Sequence, residues 1–169
     1  RKKMFWSLVL GEVSYFAVAV FFTWQHWQSA VVVFWVPLLI LRFGMMAGNW
    51  AQHAFVDINQ PDNIYRNSIT VINAKYNQNC FNDGYHIGHH LKSDRHWTEM
   101  PADFLANRAV YADQDAVVFR RIDYFVIWLF LMLRRFDWLA HFFVDLREQK
   151  RTKEEVVTFL RTRVQKAVT

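Results

Sequence analysis

From residue 4 to residue 41 the chain contains neither lysine nor arginine, and Glu12 is its one formal charge there. A stretch so long and apolar must leave water, either for the core of a large protein or for lipid. It falls into two apolar blocks, residues 4–23 and 30–47, of 20 and 18 residues, the second carrying Arg42 near its end. About 20 residues cross the hydrocarbon of a bilayer as a helix, so both blocks read as spanning helices. The segment between them, Trp24-Gln25-His26-Trp27-Gln28-Ser29, is short, polar and flanked by tryptophan, the composition of an interfacial turn. A transmembrane helical hairpin is therefore expected. Arg1, Lys2 and Lys3 stand at one outer end and Arg42 and Arg66 at the other, with no basic residue in the turn. Both ends then face the cytoplasm-equivalent side.

Glu12, Arg42 and Pro37 each disfavour a span, which leaves core helices of a soluble protein as the competing reading. A secretory signal fits less well, because the first block is long, holds Glu12 and is followed at once by a second. An ionised Glu12 in hydrocarbon needs a partner or a proton, and the linear sequence offers no partner for it. The composition, 53% hydrophobic and 18% aromatic with 5 Gly and 3 Pro, excludes disordered and linker-rich classes. Cys80 is the single cysteine, so neither an intrachain disulfide nor a cysteine-based zinc site is available. The net charge of +5 comes from basic residues scattered along the borders of apolar blocks, a pattern that suits anionic headgroups and excludes nucleic acid as the expected partner.

Three regions follow: the hairpin at 1–48, a polar histidine-bearing region at 49–110, and an amphipathic helical extension at 111–169. The fold class is mainly α and integral to a membrane, with a helical domain on the cytoplasm-equivalent side. Residues 124–133 are uncharged but number only ten and are fenced by arginine and aspartate, too short to span. They suit a helix in the headgroup plane or packed on the polar domain. The tail, residues 148–169, places Val156, Val157, Leu160 and Val164 at helical spacing, the pattern of a short surface helix.

Four of the seven histidines lie in two short elements after the apolar blocks: His53, and His86, His89 and His90 in Tyr85-His86-Ile87-Gly88-His89-His90. On a helix, offsets of three and four residues bring the last three to one face. Imidazole suits iron, zinc or copper, so one metal or two neighbouring metals are the expected occupants. Asn49, four residues before His53, and Asp83, three before His86, are placed to hydrogen-bond a ligand or a metal-bound water. His96 is a possible near-site group that breaks the spacing, while His26 and His141 read as interfacial or surface residues.

The run Asn82-Asp83-Gly84-Tyr85-His86-Ile87-Gly88-His89-His90-Leu91, continued by His96-Trp97-Thr98-Glu99-Met100-Pro101, resembles the last histidine box of the membrane fatty acid desaturase and hydroxylase superfamily. Asn49-Trp50-Ala51-Gln52-His53 is similar to the Asn-x-x-x-His element that follows the last spanning helix of acyl desaturases. The resemblance covers residues 1–101 and matches the C-terminal half of such an enzyme. It implies His53, His86, His89 and His90 as iron ligands, a di-iron centre in the complete family site, a membrane lipid or acyl substrate, and an electron donor such as cytochrome b5 or ferredoxin. Arg66, Lys75, Lys92 and Arg95 would make the docking face for that donor basic. Family members carry two earlier histidine boxes, which this sequence lacks, so desaturation is expected when an N-terminal half completes the site. The alternatives are a non-catalytic desaturase-like subunit of a larger membrane complex, and a lipid hydroxylase with the same metal chemistry.

Overall fold

A computed structural model describes residues 2–164. The described chain is mainly helical and divides into two compact units, one up to Met46 and one from Ala47 onward.

The first unit is built from α1 (Lys2–Gln25), α2 (Trp27–Ala30), a π-helical stretch (Val31–Trp35) and the start of α3 (Val36–Gln52). His26 breaks the helical run with φ −145° and ψ 67°. The π-helical stretch ends two residues before Pro37, whose ring disturbs the preceding turn and removes a donor. Tyr15 Oη donates to the Phe34 carbonyl at 2.8 Å, Trp35 Nε1 donates to Thr23 Oγ1 at 2.8 Å, and the Phe22 and Phe34 rings stack with centroids 6.0 Å apart. Arg42 supplies the partner that the linear sequence did not reveal for Glu12: its Nη2 lies 2.8 Å from Oε1 and 3.1 Å from Oε2. The helical stretch is long and apolar enough to cross a membrane. Little of that stretch is buried within the described residues.

The second unit continues through α4 (Ile64–Asn67), β1 (Ile69–Ile72), α5 (Lys75–Asn79), α6 (His86–Leu91), α7 (Met100–Ala106), α8 (Arg108–Asp113), β2 (Val117–Arg120), α9 (Tyr124–Met132), α10 (Phe136–Phe142) and α11 (Lys153–Thr162). The strands pair in parallel, with Ile69 opposite Val117 and Ile72 opposite Arg120, and the helices from α5 to α8 form the crossover. No strand was expected from the sequence. Ile69, Thr70 and Val71 face Val117, Val118 and Phe119, all six buried, so the pair is the centre of the core rather than an edge ornament.

Around it pack Ala51, Phe55, Ile127, Leu139 and Leu160. The Asp123 side chain caps α9 by accepting from the Val126 N–H at 2.9 Å, and Tyr124, Ile127 and Leu131 bury one face of that helix. Of the two placements expected for residues 124–133, the structure has the packed one. The tail forms the short helix read from its spacing, with its charged face exposed. Thr152 and Glu155 form a reciprocal capping box, and Val156 and Leu160, one helical turn apart, are buried in the core. Val164 is partly buried against the same core, and residues 165–169 lie outside the described residues.

Candidate metal centre

Two short elements carry the site, and both are held by bonds to the core. His53 follows the end of α3 and donates from Nδ1 to the Asn67 carbonyl at 3.3 Å, which turns its Nε2 toward His86. His86 opens α6. The turn before it is fixed at Gly84, whose carbonyl accepts from the Val71 N–H of β1 at 2.7 Å and from Tyr124 Oη at 2.9 Å. Asn77 completes the lock, accepting from the Gly84 N–H at 3.1 Å and donating to the Val71 carbonyl at 2.8 Å.

The result is convergence of three imidazoles. His86 Nε2 lies 3.1 Å from His53 Nε2 and 3.0 Å from His90 Nε2, and one ligand nitrogen from each residue lies within 4.8 Å of the others. His86 is buried while His53 and His90 are exposed. Burial, followed by the neighbouring His90, His53 and His89, pushes the His86 imidazole down to about 3, and burial together with His53 and His89 lowers His90. Neutral rings at these two positions present lone pairs, and one His86 Nε2 cannot be satisfied by two other nitrogens at once. A cation other than the proton resolves that conflict. Two nitrogens at about 2.1 Å from one ion and at a right angle to each other lie about 3.0 Å apart, so the donor set fits a nitrogen-ligated metal.

The other sequence candidates divide. The His89 ring stands outside the three-nitrogen group, its centroid 5.9 Å from those of both His86 and His90. Asp83 does not bond a histidine: its Oδ2 accepts from Gln52 Nε2 at 2.9 Å and Tyr76 Oη at 2.6 Å, so it ties the end of α3 and α5 to the box. Asn49 is exposed on α3 and makes no side-chain hydrogen bond among the described residues. His96 is exposed and pairs with Thr98 Oγ1 at 2.7 Å; His26 and His141 are exposed, as read. Of the four cations expected to form a basic face, Arg66 is engaged by Asp57 at 2.7 Å and Arg95 by Asp103 at 2.6 Å, leaving Lys75 and Lys92 exposed.

Three contributors went unnoticed in the sequence. Tyr124 holds the box turn from 40 residues away, Asn77 holds it from within a polar stretch, and Asp62 lines a cavity of about 150 Å³ with His53 and His90. Sequence distance hid the first. The other two carry no spacing signal, since asparagine and aspartate are ordinary in turns.

The convergence of His53, His86 and His90 defines a histidine cluster able to hold a metal ion. The chain belongs to the fatty acid desaturase family, whose model matches residues 1–122. That match runs past the expected limit at residue 101 and takes in both strands. No curated protein and no solved structure matches the chain.

Proposed function

We propose that this chain acts as the C-terminal half of a fatty acid desaturase, contributing ligands to a di-iron centre that an N-terminal half completes. The meeting of His53, His86 and His90 at 3.0–3.1 Å carries the reading. His53, His86 and His90 hold one ion and His89, one ring outward, serves the second, while Asp83 braces the box through Gln52 and Tyr76 without touching a histidine. Iron supplies the O2 chemistry needed to remove two hydrogens from an unactivated acyl chain, with electrons from an external donor. The protein's part is to keep the imidazoles neutral and aimed. Burial does this for His86, and the Asn67 carbonyl fixes the tautomer of His53.

Because three nitrogens converge in this chain, metal analysis of the purified protein is expected to give fewer than two irons per chain, without acyl turnover. Stoichiometric di-iron with desaturated product from the chain alone would refute the half-site reading, and a hydroxylated product would reassign the reaction.

The first unit is read as a membrane hairpin with its turn at residues 24–29. Contact between Glu12 and Arg42 supports it, because a continuous helix would separate residues 30 apart by about 45 Å at about 1.5 Å per residue. Cysteine labelling in sealed vesicles is expected to reach positions 27 and 75 from opposite sides. Labelling of both from one side would sink the hairpin.

A further inference from the structure

In the second unit a cleft of about 610 Å³ lies outside the histidine site, within the size range of small-molecule sites. Leu131 and Phe136 form an apolar floor from the core, with Ala54 beside them and half-exposed Trp50 as a wall. Arg134 and Arg161 are exposed at its rim. Neither makes an ion pair with a described residue, unlike Arg66, Arg95, Arg135, Arg147 and Arg151; exposed Arg108, Arg120 and Arg121 make none either, but do not line the cleft. The Arg161 guanidinium lies 5.7 Å over the Phe136 ring, which keeps it above the floor.

Arg134 also occupies a position where the backbone favours glycine. Its φ is 54°, its N–H donates to the Leu131 carbonyl at 3.0 Å, and the next N–H, of Arg135, donates to Phe130 at 2.8 Å. This is the end of α9 in a Schellman arrangement, where the left-handed residue is usually glycine because a β-carbon is disfavoured. Arg121 shares the left-handed backbone and the absence of an ion pair among the described residues, so what sets Arg134 apart is its place on the cleft together with Arg161.

We propose that the cleft binds the phosphate headgroup of an anionic amphiphile, with the phosphate between Arg134 and Arg161 and its first carbons on Leu131 and Phe136. Guanidinium matches phosphate through paired N–H donors, and the apolar floor has no use for a free phosphate. The choice of an amphiphile rests on reading the chain as a membrane acyl-lipid protein; the cleft itself does not involve the histidines.

The test titrates the full chain in neutral detergent with phosphatidic acid, phosphatidylcholine or inorganic pyrophosphate, counting bound molecules by native mass spectrometry. One phosphatidic acid per chain is expected. Combining Arg134→Gln with Arg161→Gln should weaken it about tenfold or more. Arg108→Gln, an exposed site on α8 outside the cleft, should change it by less than about twofold. Arg134→Gly separates binding from folding: it should raise the Tm by relaxing the backbone and still weaken phosphatidic acid. Equal binding of phosphatidylcholine, or undiminished binding by the double glutamine variant, overturns the proposal. Pyrophosphate binding as tightly as phosphatidic acid overturns the amphiphile and assigns the cleft to soluble phosphate. A chain that binds metal but not phosphatidic acid refutes the cleft alone, and the reverse result refutes the metal reading alone.

Discussion

Replacing His86 with alanine is expected to cost more than about 100-fold in metal affinity, beyond the 10 to 100-fold typical of lost outer-shell partners. Its Nε2 is the one that approaches both other nitrogens, at 3.1 and 3.0 Å, so its removal takes away the centre of the group rather than an edge. His90→Ala should be nearly as severe. His89→Ala should leave the first ion almost unaffected, because its ring stands outside the convergence. Asp83→Asn should fall between, since the carboxylate ties Gln52 and Tyr76 to the box without touching a histidine. Competition against a chromogenic chelator, with thermal unfolding as the control for folding, measures the series. Metal retained at wild-type affinity by His86→Ala would end the ligand assignment.

That ranking could not have been written from the sequence. Spacing alone put His86, His89 and His90 on one helical face and treated them alike, because helical offsets give direction but not which nitrogen meets a residue 33 positions upstream. The helical character of the chain was legible in its apolar blocks, and the box in its three-histidine cluster. The strands were not. Ile69-Thr70-Val71-Ile72 sits inside a polar stretch, and Val117-Val118-Phe119 at the start of an apolar one. Strands buried on both faces lose the alternation that would betray them, and four residues are too few to distinguish from a helix fragment. The β-branched run was the available signal. The apolar stripe of α11 was legible too: Val156 and Leu160, read at helical spacing, are the two residues that enter the core, one turn apart. Glu12 gained its partner only through contact between residues 30 apart.

Gly84→Ala is expected to destabilise the second unit by about 3 kcal/mol, at the upper end for overpacking, and to release the metal with it. A β-carbon at Gly84 would lie 2.0 Å from Asn77 Oδ1 and 2.6 Å from the Val71 carbonyl oxygen. Neither neighbour has room to yield. Asn77 is buried and spends both ends of its amide on this turn, and Val71 is fully buried in β1. The same glycine carbonyl takes the Val71 N–H and the Tyr124 hydroxyl, so any shift that relieves the clash breaks the bonds that set the entry of α6, two residues before His86. The requirement is steric and not conformational, which gives it a distinctive test. Adding Asn77→Gly to Gly84→Ala deletes the nearer obstacle and should recover part of the Tm relative to Gly84→Ala, though not all, because the Val71 carbonyl remains at 2.6 Å. Additive losses in the double variant would show that the two residues do not compete for space, and an unchanged Tm in Gly84→Ala would show that the turn before the box is not closed as described.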